Sequence, residues 1–227
     1  MADKISNARK KELEQPDPFL ESMYRTLETA KKLKKQMVIG GIIITSIICI
    51  VFITVYSIRS AENRASVMLV DATKSYGTHK QPSEGYAAVK EKFETLINEH
   101  PNTSSGKIGK VKFGDICYAA GQYDLSYKYY TSAVDDFKND PVMQNILFSS
   151  LGYTCNALKK DQEAEKYFKA ITDGSIALMK EDALFNLGMV AIANGENQKG
   201  VEFLKKLSSG YKDSMYKIMA DDILAKN

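Results

Sequence analysis

Residues 37–58 read MVIGGIIITSIICIVFITVYSI, twenty-two positions without a charge or a proline. As a helix this run is about 33 Å long, enough for the hydrocarbon core of a bilayer. It lacks the polar stripe that a core helix of a soluble domain would carry, so it predicts a single transmembrane helix. Before it, Phe19, Met23, Leu27, Ala30 and Leu33 recur at helical spacing behind Pro16-Asp17-Pro18, which reads as a helix start with Asp17 at the N-cap. That segment fits either an amphipathic helix on the inner leaflet or a stalk continuous with the membrane helix. Residues 1–15 are polar and expected to be mobile.

Beyond residue 58 the pattern becomes periodic and repeats itself. Phe113-Gly114-x-x-Cys117 precedes Ser126-x-x-x-Tyr130-x-x-Ala133. Leu151-Gly152-x-x-Cys155 precedes Ala164-x-x-x-Phe168-x-x-Ile171, and Leu187-Gly188-x-x-Ala191 precedes Gly200-x-x-x-Leu204-x-x-Leu207. In each, a small residue follows the first glycine by twelve positions, and the three glycines are 38 and 36 apart. Small residues on two helices let the backbones approach, and a large apolar residue one turn later fills the groove beside them. Gly121, Lys159-Lys160-Asp161 and Gly195 supply the turns. One such pair cannot bury its apolar face alone, so the pairs are expected to stack as a solenoid. The predicted fold is all-α, with repeats at 105–138, 143–174 and 180–210. A degenerate pair is expected at 61–101, with its loop at 78–84, and a closing amphipathic helix at 213–225.

Charge then fixes a direction. Residues 1–36 hold nine Lys/Arg against six Asp/Glu, whereas residues 59–227 hold twenty-two of each, so the whole excess of +3 precedes the apolar run. Lys31, Lys32, Lys34 and Lys35 crowd its N-terminal flank. Arg59 and Arg64, with Glu62 between them, stand on the other. The positive-inside bias predicts a cytoplasmic segment over 1–36, the span at 37–58, and residues 59–227 on the far side, the periplasm in a bacterium. A cleaved signal peptide is not expected, because the run is too long and Tyr56-Ser57-Ile58-Arg59 is no cleavage site. Ile47-Ile48-Cys49 lacks the small residues of a lipidation site. A neutral exported domain argues against nucleic-acid binding.

The pattern L-G-x-x-Y, then A-x-x-x-F, resembles the tetratricopeptide repeat, best over residues 113–133. Lys110 departs from it, standing where the first helix wants a large apolar residue (Phe148 and Leu184 in the next repeats). The plan of residues 20–227, an anchor followed by about four helical pairs and a closing helix, resembles the YfgM-type ancillary subunit of the bacterial Sec translocon. That resemblance implies a protein of the inner membrane with a periplasmic tetratricopeptide-like domain.

No catalytic motif appears: there is no H-E-x-x-H, P-loop, dinucleotide fingerprint or nucleophile elbow. His79 and His100 fall in expected loops, and Cys117 and Cys155 are expected as buried free thiols. The chain is therefore read as a non-enzyme without metal, cofactor or small-molecule substrate. In tetratricopeptide arrays the first helices line a groove for an extended peptide or a partner helix. Here that groove should carry Val111, Asp115 and Tyr118; Ser149, Tyr153 and Asn156; and Phe185, Met189 and Ile192. It lacks a Lys/Asn/Arg clamp for a terminal carboxylate, so apolar or aromatic polypeptide segments are the expected ligands. Translocon subunits, exported chains or periplasmic chaperones are the expected partners. The alternative is an envelope-biogenesis coordinator binding cell-wall or outer-membrane assembly proteins.

Overall fold

The structure, a computed structural model, describes residues 17–226; the polar stretch 1–15 lies outside them. Every regular element among the described residues is an α-helix. The chain divides at Ser57/Ile58 into two units.

Helix α1 runs Pro18–Gly77. Proline suits its first position, where no intrahelical N–H bond is lost, and Asp17 Oδ1 accepts the Phe19 N–H at 2.9 Å. Residues 18–58 are one helix, without a break between the amphipathic stretch and the apolar run. Helix α1 is the one helix among the described residues long and apolar enough to cross a membrane; an 18-residue stretch of it has mean hydropathy 2.8 and none of that stretch is buried. The last turns of α1, from Ile58 on, belong to the second unit.

That unit continues with α2 (Pro82–Glu99), α3 (Ser104–Ala119), α4 (Tyr123–Asp136), α5 (Pro141–Ala157), α6 (Asp161–Asp173), α7 (Lys180–Ala193), α8 (Asn197–Gly210) and α9 (Met215–Lys226). Helices α3 and α4, α5 and α6, and α7 and α8 pack as successive pairs, and each pair packs on the next. This is the packing of a helical-repeat array. The expected loop at 78–84 is shorter in the structure, because α2 starts on Pro82. A proline at the first position is preset for the helix and draws Ser83 and Glu84 into it.

The first pair is formed by the end of α1 and α2. Ala65 and Ala72 are fully buried and share a core with Val89, Phe93, Leu96 and Phe113. The Phe93 and Phe113 rings stack with centroids 5.2 Å apart. Glu62 of α1 accepts the backbone N–H of Ser104 at 2.7 Å and that of Ser105 at 3.0 Å, with the Ser105 hydroxyl at 2.7 Å. A side chain distant in sequence thus serves the start of α3, whose free N–H groups favour a negative charge. These bonds, the Ser105 hydroxyl first, hold the Glu62 carboxyl below its ordinary pKa.

Inside each pair the small-to-large geometry is explicit. A Cβ on Gly114 would lie 2.7 Å from the Tyr130 ring, one on Gly152 2.5 Å from Phe168, and one on Gly188 2.7 Å from Leu204. At Lys110 the departure from the pattern has its own solution. The ammonium pairs with Asp136 of α4 at 2.7 Å, both side chains largely buried, so an ion pair stands where its neighbours use apolar contact.

The pairs turn by one mechanism. Gly121, Lys159 and Gly195 have φ of +74°, +58° and +79°. The following N–H groups, of Gln122, Lys160 and Glu196, each reach back 2.8 Å to the carbonyls of Cys117, Cys155 and Ala191. This is the left-handed helix stop that glycine adopts freely and lysine at a cost. Lys159→Gly should therefore raise stability by about 0.5–1 kcal/mol, and Gly152→Ala should lower it by about 1–3 kcal/mol through overpacking against Phe168. Both are read from urea unfolding of the detergent-solubilised protein.

Candidate partner-binding face

Helices α3, α5 and α7 touch in sequence, so their residues form one continuous face. Its centre is polar and buried. Asp182, only 6% exposed, lies in the first turn of α7 and receives the Ser149 hydroxyl at 2.8 Å and the Tyr153 hydroxyl at Oδ1. The Asn186 amide donates to Asp182 Oδ1 at 3.0 Å, to the Asp182 carbonyl at 2.8 Å and to the Tyr153 oxygen at 2.9 Å. Neutral donors thus solvate a buried carboxylate, which is tolerable only because they are fixed in place. The cluster joins α5 to α7. Burial raises the pKa of Tyr153, reinforced by its bond to Asp182, and burial with the nearby Asp182 raises that of Tyr216 on α9.

Around this centre the expected groove residues fall into distinct environments. Val111 is buried with Tyr130, Leu147 and Leu151, and serves the core between α3, α4 and α5. Ser149 is buried as well and turned to Asp182. Neither presents surface, because helices in contact bury the side chains facing each other between them. Asp115 is exposed and accepts the Tyr130 hydroxyl at 2.6 Å. Tyr118 is half-buried, edge-on to Tyr123 with centroids 5.3 Å apart. The Tyr153 ring stands edge-on to Phe168 at 5.7 Å. Asn156 Oδ1 is buried and has no hydrogen-bond partner among the described residues.

In the third repeat Phe185 packs against Tyr216 of α9, with ring centroids 5.5 Å apart, and Ile192 belongs to the same apolar cluster. Met189 stays open, at 39% exposure. The closing helix therefore covers part of this repeat and leaves Met189 free. On this face Met189 is exposed, and Tyr118, Tyr153, Phe185 and Ile192 are half-buried.

Asp182, Asn186 and Tyr216 were not among the expected site residues. Asp182 and Asn186 carry a signal, an acid and an amide one turn apart in a helix otherwise reading A-L-F-x-L-G-M-V, and Tyr216 carries none. Cys117 and Cys155 are buried free thiols, and burial raises their pKa to about 12 and about 11. Among the described residues no group of His, Cys, Asp and Glu could hold a metal ion.

No protein-family model matches the sequence, and no curated protein is significantly similar to it.

Removing the Tyr153 hydroxyl takes a donor from Asp182, so Tyr153→Phe should cost about 1–3 kcal/mol at neutral pH. A tyrosine raised in the folded state gives its full contribution below about pH 10, where the unfolded residue titrates, and loses it as pH rises further. Wild-type stability should accordingly fall above pH 10 with a steeper slope than that of Tyr153→Phe, as urea melts across pH 8–11 would record.

Proposed function

We propose that this protein is a membrane-anchored tetratricopeptide-like scaffold that binds other polypeptides on the face formed by α3, α5 and α7. The observation that carries the reading is a face on three adjoining helices where Met189 is exposed and Tyr118, Tyr153 and Phe185 are half-buried. Aromatic rings give large contact area at low entropic cost, and an exposed thioether adapts to varied partners. The ligands are apolar or aromatic segments of extended or helical chain. Asp115 is the exposed charge among the expected contact residues, which disfavours acidic C-termini.

The lysines before the apolar run support a topology with residues 59–227 on the periplasmic face of a bacterial inner membrane. In that position the protein assists the Sec translocon or hands exported chains to chaperones, the role implied by its resemblance to the YfgM-type ancillary subunit. It acts by binding and without cofactor or metal; no nucleic acid takes part.

Site-specific photocrosslinking from Tyr118 and Met189 in intact cells tests both levels. Capture of translocon subunits or emerging exported chains is expected, and Met189→Asp should reduce it severalfold. Capture of cell-wall synthases or outer-membrane assembly factors in their place would favour the role of envelope coordinator. An undiminished yield in the aspartate variant would remove the face itself from consideration.

A further inference from the structure

A second cleft, sharing no residue with the face above, opens between α6, α7 and α8. Its volume is about 580 Å³, within the range of small-molecule sites. Leu184 and Phe203 form an apolar lining, and Lys169, Lys180 and Lys206 stand around it with Tyr211. We propose that this cleft binds a small soluble organic anion, a carboxylate or phosphate monoester attached to an aromatic or compact apolar body.

The charge balance supports an anion. Lys169 is drawn to Glu165 at 2.6 Å, and Asp173 adds one negative charge to the lining. Lys180 and Lys206 have no ion pair among the described residues. The Lys206 ammonium lies 5.7 Å from the centroid of the Phe203 ring, so a cation sits directly beside the apolar lining. A ligand whose apolar body enters beside Phe203, with Leu184 at the buried floor, places its charged end within reach of that ammonium. The Thr172 hydroxyl already donates to the Lys169 carbonyl at 3.0 Å, which leaves the Tyr211 hydroxyl as the neutral donor. Lysines are point charges without the planar fork of arginine. The cleft therefore selects for negative charge beside an apolar body more than for one anion geometry.

Phenyl phosphate is the probe, titrated into the full-length protein in neutral-detergent micelles at low ionic strength and followed by ³¹P line width and calorimetry. Saturable one-site binding is expected, weaker for inorganic phosphate and absent for benzyl alcohol. Lys180→Gln/Lys206→Gln should weaken it at least about tenfold, which is about 1.4 kcal/mol. Lys180→Arg/Lys206→Arg should restore it, with unchanged thermal melts showing that both variants fold. Raising the salt to 0.5 M should weaken it further. Equal binding of benzyl alcohol, unchanged affinity in the glutamine variant, or absence of saturation would overturn the assignment. So would binding of a short-chain phosphatidic acid in the micelles without binding of phenyl phosphate, because the ligand would then be a lipid. Crosslinking from Tyr118 and Met189 reports on the other face, so either result can fail alone.

Discussion

The close approach of two backbones at Gly114, Gly152 and Gly188 is the constraint on which the repeat unit depends. Each lacks a side chain where a partner ring or isobutyl group of α4, α6 or α8 occupies the space. Dispersion contacts fall steeply with distance, so a pair held this tightly gains packing that a looser crossing would forfeit. The tight pair also sets the spacing of the next. Phe168 and Ile171 bury themselves against Ala183 and Leu187 of the following helix, and Leu204 and Leu207 against Ala220. The array is a chain of nearest-neighbour contacts, and its exposed side chains are those that these contacts leave over.

Between repeats the interface is partly polar. Where apolar contact would let helices slide, the Asp182 cluster demands particular partners: a serine and a tyrosine from α5 and an amide from α7 itself. A buried carboxylate with every donor in position is tolerable, and the same carboxylate with one donor missing is costly. Such a group discriminates between registers more than it adds stability. Lys110 and Asp136 play a comparable part within the first full pair.

The pairing of helices was legible because its code is local. A glycine, a small residue twelve positions later and a large one after four more are all within one hairpin, and the turn residues Gly121 and Gly195 mark the reversal. What crosses between repeats was much less so. Ser149 and Asp182 are 33 positions apart, and in sequence Asp182 is an ordinary acid in a first helical turn. Val111 and Ser149 were placed on the face by their spacing from the glycines, but spacing gives an angle around a helix and not the depth of the crevice beside it. Lys110 breaks the pattern within its hairpin, and its counter-charge, Asp136, stands 26 positions on. The beginning of α2 was missed by a few residues because a proline reads equally as the end of a loop and as the first residue of a helix.

Helix α1 has two roles that meet in one sequence. Its last turns, carrying Glu62, Ala65 and Ala72, are a wall of the core and the acceptor for the start of α3. A cleavage that frees the repeats from the apolar run must fall before those residues. A cut after Tyr76 releases a fragment whose Val89, Phe93 and Leu96 have lost their cover, and aggregation is the natural fate of such a piece. Trimming the tether is harmless to the fold only as far as Glu62 can still reach Ser104 and Ser105.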